Sequence, residues 1–243
     1  MLRDLFVFSL LVTLKAFTRI FYRVRMEWIN NPPPDPWRHL RLVAILNHTS
    51  LFEPLWAGGS PMHFLWRMAR HGVIPVAKKT TDRALVGKFF SLIAKNVIPI
   101  TRARDESWKQ VLARIDPDAM VAIMPEGRMK RATGLDSEGR AMSVRGGIAD
   151  ILDSIGEGRM LLAYSGGLHH VQIPGQRFPR LFQTLRMHLE VVEIGDYRRA
   201  MMERGGGSPE GFKSAVIADL EHRRDTFCPV APPDGSGPPT IRP

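Results

Sequence analysis

The sequence predicts an α/β fold: a mixed, largely parallel sheet flanked by helices, with an N-terminal helical segment suited to a membrane interface. Three observations carry this reading. Short apolar runs, of a length typical of buried strands, alternate with longer amphipathic stretches from residue 42 to residue 164. Residues able to do chemistry stand just past the ends of those runs, where ligand sites gather in such sheets. The 243-residue length suits one such domain with a small appendage, and an apolar share of 44% is that of a folded core.

Residues Leu5 to Leu14 are nearly all apolar, between Asp4 and Lys15. The run is too short to span a bilayer, which takes about 20 residues, and no small-residue cleavage site follows it. From Ala16 to Arg25, aromatic and aliphatic residues interleave with arginines, as in a helix lying in a membrane interface. The alternative is a long helix packed on the protein's own core. A short strand over 26–29 leads to Asn31-Pro32-Pro33-Pro34-Asp35-Pro36, where stacked prolines join neither helix nor sheet interior. This break divides the chain into a membrane-associating helix over 1–30 and an α/β core over 37–228. A proline- and glycine-rich tail over 229–243 is expected to be disordered.

Within the core, Leu42-Val43-Ala44-Ile45-Leu46 reads as a strand. A helix follows from Pro54, favoured at a first helical position, and runs to Arg70 with a break near Gly58-Gly59-Ser60-Pro61. Val73–Ala77 is a strand ending at Lys78, Leu85–Ala94 a helix, and Val97–Ile100 a strand ending in Thr101-Arg102. Asp105–Ile115 is a helix and Met120–Met124 the next strand. Arg145-Gly146-Gly147 opens a helix over Ile148–Ile155; strands follow at Met160–Tyr164 and Leu189–Ile194, and Pro209–Phe227 is a C-terminal helix.

The formal net charge of +10 favours anionic partners. The chain has no lysine/arginine-rich block, helix-turn-helix pattern or zinc-finger spacing, which argues against nucleic acid. Lipid headgroups or phosphorylated metabolites remain. One cysteine, Cys228, excludes an internal disulfide and stands apart from any cluster, so it reads as structural or incidental. No metal-ligand spacing occurs.

The chemistry concentrates in Asn47-His48-Thr49-Ser50-Leu51-Phe52-Glu53. A strand-to-helix turn places His48 near Glu53, and a carboxylate beside a helix N-terminus stays ionised. An imidazole held at one nitrogen by such an acid offers the other as a general base. Ser50-x-x-Glu53 also matches a capping box, which would leave Glu53 serving only the helix end. Met124-Pro125-Glu126-Gly127-Arg128 is a second strand-end turn, whose acid accepts bonds from a hydroxyl or orients a base. Its alternative is a plain polar turn. Arg102 presents a planar fork suited to phosphate, and Lys78 either extends that anion site or is a solvated charge.

These blocks together resemble the glycerophospholipid acyltransferases, the 1-acylglycerol-3-phosphate acyltransferase family. That family carries Asn-His-x-x-x-x-Asp, a strand ending in arginine, and Pro-Glu-Gly, in that order. The matching residues here are Asn47-His48 with Glu53, Ile98-Pro99-Ile100-Thr101-Arg102, and Pro125-Glu126-Gly127. The resemblance spans roughly 40–150. It implies that His48 is the general base for an acceptor hydroxyl and Glu53 steadies its imidazole. It places Asn47, Arg102, Glu126, Gly127, Arg128 and Lys78 around the acceptor, with Arg145 toward the phosphates of coenzyme A. The donor would be acyl-CoA or acyl-carrier protein, used as a cosubstrate, with no bound cofactor. The acceptor would be lysophosphatidate or a related lysolipid, at the cytoplasmic face of a membrane. A non-catalytic lipid-binding protein of the same fold is the rival reading. Two departures stand out: glutamate replaces the family's aspartate at Glu53, and Arg128-Met129 replaces its threonine-arginine.

Overall fold

A computed structural model describes residues 1–78, 92, 96–101, 105–173, 176 and 178–230. The helix expected over Leu85–Ala94 and the tail beyond residue 230 lie outside the described residues. The elements are α1 (Leu2–Phe21), β1 (Arg23–Trp28), β2 (Leu40–Leu46), a 3₁₀ helix (Glu53–Gly58), α2 (Met62–His71), β3 (Gly72–Ala77) and β4 (Asn96–Ile100). Then come α3 (Glu106–Leu112), β5 (Met120–Ile123), α4 (Gly147–Ile155), β6 (Arg159–Ser165), β7 (Thr184–Glu193), α5 (Ile194–Arg204) and α6 (Pro209–Phe227).

Seven strands form one sheet in the order β1-β7-β6-β2-β5-β3-β4. Every pairing is parallel except β6 with β7. The mixed, largely parallel sheet expected from the sequence is therefore present. β2 lies at its centre, and its apolar run is buried on both faces, as parallel strands between helix layers require. Leu42, Ala44 and Leu46 pack beneath α4, α5 and α6 with Ile148, Leu152, Tyr197 and Phe212. The alternate residue Val43 packs on the other face with Val7, Leu11, Trp56, Phe64 and Met68, from α1, the 3₁₀ helix and α2.

The N-terminal segment departs from expectation in its packing. Residues 1–30 are not an appendage: α1 buries Val7 and Leu11 in the core, and β1 pairs with β7 over its whole length. Helix ends at Phe21, and the arginine–apolar interleaving beyond it is a strand of period two, with Arg23, Arg25 and Glu27 outward. Lys15 is buried and donates to the carbonyls of Gly58 and Ser60, while Arg19 Nε donates to Gly58 O at 3.1 Å. These cations anchor α1 to the carboxyl end of the 3₁₀ helix.

β7 is longer than expected, beginning at Thr184 instead of Leu189, and it ends at Glu193. Ile194 opens α5 instead of closing the strand. α5 escapes a sequence reading because it buries only Ile194, Tyr197 and Met201 among its eleven residues. No helix among the described residues is long and apolar enough to cross a membrane.

Candidate active site

Asn47 leaves the end of β2 with φ 64°, a left-handed conformation that asparagine tolerates better than most residues. Its side-chain amide donates to Ser165 O at the end of β6, at 2.8 Å. The reversed chain points two successive backbone N–H groups at the neighbouring turn after β5. There Glu126 accepts from Asn47 N at 2.8 Å and from His48 N at 3.1 Å, one with each carboxylate oxygen. Glu126 is almost wholly buried, and burial raises its pKa against the pull of those two hydrogen bonds. Gly127 supplies the φ of 62° that lets the chain turn away at once.

Five residues past His48, the Glu53 carboxylate folds back over the turn. Its Oε1 accepts from Thr49 N at 3.0 Å and Ser50 N at 3.2 Å, and it lies 3.1 Å from His48 Nδ1. Capping and orienting are thus one arrangement: the same oxygen closes the turn and faces the imidazole. The ring contact is an ion-pair contact and not an aligned hydrogen bond, and His48 Nδ1 and Glu53 Oε2 are both buried without a hydrogen-bond partner among the described residues. Burial pushes the His48 pKa down, but the adjacent Glu53 carboxylate, with Glu126 behind, outweighs it and holds it above the ordinary value. A proton kept on Nδ1 by the acid leaves Nε2 as acceptor.

The imidazole opens onto a cavity of about 590 Å³. The cavity runs between the sheet and the α1/α2 layer, walled by Val43, Trp56, Phe64, Met68, Leu161 and Met187. At its polar mouth stand Arg128, Arg145 and the backbone of Gly146 and Gly147, with Lys213 from α6 laid against Gly146.

No family model matches the sequence, and no curated protein matches it significantly. Among solved structures, the chain is similar to the crystal structure of the 1-acyl-sn-glycerophosphate acyltransferase PlsC from Thermotoga maritima. The match has a TM-score of 0.53 at 18% identity, covering 89% of this chain and 79% of that one. The fold is that of PlsC.

Within this PlsC fold the expected residues separate into three groups. His48 and Glu53 meet at the cavity, and Gly127, Arg128 and Arg145 line it. Asn47 and Glu126, expected beside the acceptor, instead direct their side chains into the scaffold and brace the turn. Lys78 is exposed past the end of β3 and does not line the cavity, and Arg102 lies outside the described residues. Arg128 is held by Asp136 and by Glu138, so its charge is largely engaged within its own loop.

Sequence reasoning missed Lys213 and Arg224. Both belong to α6, more than 60 residues from the motifs they approach, and neither sits in a local pattern. Arg224 lies 3.9 Å from Glu126 Oε1 and offsets a buried charge. Cys228 follows on the same helix end; burial first, then Glu126, push its thiol up to about 12, so it stays protonated and is a poor nucleophile.

Proposed function

We propose that this protein is an acyltransferase, moving a fatty acyl group from acyl-CoA or acyl-carrier protein to the hydroxyl of lysophosphatidate in phospholipid synthesis. The observation that carries this is a buried acid–imidazole pair facing a long apolar cavity at the carboxyl end of the sheet. A cavity of about 590 Å³ falls within the roughly 300–1,000 Å³ of small-molecule sites, and its apolar walls suit a hydrocarbon chain. The likeness in fold to an acyltransferase supports the same reading.

In this mechanism Nε2 of His48 takes the proton of the acceptor hydroxyl as that oxygen attacks the thioester carbonyl. The C–O bond forms, the C–S bond breaks, and the imidazolium returns its proton to the departing thiolate. Glu53 stabilises the charge that develops on the imidazole. Glu126 acts through the turn, as a positioning residue. Arg145 and Lys213 offer positive charge at the mouth for donor phosphates. No acyl-enzyme and no bound cofactor enter the scheme.

The acceptor and donor meet at the cytoplasmic face of a membrane, with the protein peripheral. The outward face of α1 supports this: Leu2, Leu5, Phe6, Phe17 and Ile20 are exposed along it. A second reading keeps the chemistry and changes the acceptor to another lysophospholipid or lipid alcohol. It is favoured by Arg128, whose engagement with Asp136 and Glu138 removes one candidate for an acceptor phosphate.

The test is transfer from palmitoyl-CoA, and from palmitoyl-acyl-carrier protein, to lysophosphatidate and a panel of other lysolipids in mixed micelles. His48→Ala is expected to lower turnover by about 10²–10⁴-fold. Wild-type inactivity across both donors and all acceptors would sink the proposal and favour a lipid-binding role.

A further inference from the structure

Arg41 breaks the register of the sheet. β2 and β6 pair with Leu40 opposite Arg159 and Leu42 opposite Met160, so Arg41 is the extra residue of a β-bulge. Bulges re-aim a side chain, and this one turns Arg41 toward α2, where it lines a second cavity of about 530 Å³ with Arg67 and Arg70. The cavity lies at the amino ends of β2, β5 and β6, bounded there by His39, Asp118 and Gly158. His48 follows the opposite end of β2, about 20 Å away along a strand of seven residues. α2 is the wall between the two cavities: Phe64, Leu65 and Met68 line the apolar one, and Arg67, Arg70 and His71 the basic one.

The arginines are held in place but not neutralised. Arg41 Nε donates to Ala119 O at 3.0 Å and its Nη2 to Asp116 O at 2.7 Å, neutral carbonyls that fix the guanidinium and leave its charge. Its stem lies across Gly158, at φ 101°, where a Cβ would come within 2.5 Å of Arg41 Cγ. Arg67 is half-buried and makes no hydrogen bond or ion pair among the described residues. Burial, and then the Arg41 charge, draw its pKa down, with Asp118 opposing them. Arg70 lays its guanidinium over the Trp66 ring, 5.7 Å from the centroid. The carboxyl end of α2 steadies Arg70 and His71, but Arg67 stands a turn earlier. Asp118 and Glu157 bring acid to the cavity, and both are exposed.

Guanidinium groups gathered in this way, one of them without a partner, are relieved by a multivalent oxyanion, and their planar forks fit phosphate. We infer that the Arg41–Arg67–Arg70 cavity is a phosphate-binding site, separate from the acyl-transfer cavity and sharing α2 with it as a wall. The phosphate belongs to a soluble phosphate compound or to the headgroup of an anionic lipid. Binding here is independent of the acyl-transfer reading, and its test needs no turnover.

Titration calorimetry of the full chain with inorganic phosphate, and with pyrophosphate, at constant ionic strength reads the site directly. Arg67→Gln is expected to weaken binding by about tenfold or more, the share of one charge-assisted contact. Asp118→Asn, which removes the opposing charge, is expected to tighten it. Lys213→Gln, at the mouth of the other cavity, is expected to leave it unchanged. Without phosphate, Arg67→Gln is expected to melt no lower than wild type, because its loss relieves Arg41. Should Arg67→Gln fail to fold, Arg70→Gln takes its place in the titration. Vesicle flotation then separates the two sources. Weaker partition of Arg67→Gln to phosphatidylglycerol–phosphatidylcholine vesicles, with free phosphate competing in wild type, assigns the lipid headgroup. Flotation like wild type beside weakened phosphate binding assigns a soluble compound. Wild type that binds neither phosphate nor pyrophosphate at millimolar concentration would overturn the site. So would a folded Arg67→Gln with undiminished affinity, which leaves Arg67 a structural charge, or binding lost in Lys213→Gln instead, which moves the phosphate to the acyl-transfer cavity.

Discussion

Glu53 serves three neighbours with one oxygen: the amides of Thr49 and Ser50 and the ring of His48. Because His48 is held above its ordinary value of 6.5, the imidazole must lose its proton above that pH before it serves as base. kcat/KM is therefore expected to rise with pH through a pKa higher than 6.5 in wild type. In Glu53→Gln that pKa should fall as turnover drops, since the raising charge is gone; an unmoved profile would contradict the assigned role. The same shift stabilises the fold fully below the unfolded value, and this contribution fades as pH rises through the folded one. For Glu126→Gln, the amide retains one acceptor where two N–H groups need partners. Urea unfolding should show a loss of about 1–3 kcal/mol, and turnover should fall with a downward shift of the pH profile smaller than that of Glu53→Gln, since the Glu126 charge adds less to the His48 pKa than Glu53 does. At this scale the sequence was informative wherever a motif is contiguous. His48 and Glu53 are joined by one turn, so their meeting is local geometry. The inward aim of Glu126 was not legible, because it depends on β5 lying beside β2.

Among the elements, α6 does most to fix the site from behind. Arg223 on it bonds Glu190 of β7 at 2.6 Å and Asp219 at 2.7 Å, while Tyr164 and Tyr197 donate to the same two acids. Both phenols are held protonated by burial and by those carboxylates, and Arg223 is held charged despite burial. Arg223→Met would take the cation from buried Glu190 and leave buried Asp219 with Arg204 alone. A loss of about 3 kcal/mol is expected in urea unfolding, the lower part of the range for breaking a buried pair because Arg223 keeps some solvent contact. The bounds of α6 were readable from Pro209 at its start and its amphipathic spacing, but its partners were not, since each lies on another element. The early half of β7 was missed for a related reason. Leu185, Met187 and Leu189 alternate with Thr184, Arg186 and His188, a period-two pattern diluted by the charged residues on its open face.

For the molecule as a whole, strand–helix alternation was enough to predict the layered sheet, because buried parallel strands leave uninterrupted apolar runs. It did not predict that the N-terminal residues join that sheet, since no local signal pairs β1 with a strand some 160 residues away. The cavity is likewise a property of the assembled layers: Val43 and Leu161 come from the sheet, Phe64 and Met68 from α2, and Leu11 from α1. Leu161→Trp, on the strand interior away from Ser165, should shorten the preferred acyl chain in a competition among acyl-CoA lengths while leaving the shortest donor little affected. Equal loss across all lengths would argue against chain binding there.

The anchoring of α1 by Lys15 carries a mechanical consequence. Two carbonyl oxygens, of Gly58 and Ser60 at the end of the Glu53–Gly58 helix, hold a buried cation from α1, which couples the His48–Glu53 turn to that helix as a lever. The orientation of the His48 ring is then tied to the tilt of α1, whatever sets that tilt. Trimming residues 1–21 to improve handling would loosen the lever at its fulcrum, and Lys15→Met should slow transfer even to a freely soluble short-chain acceptor that never touches a bilayer.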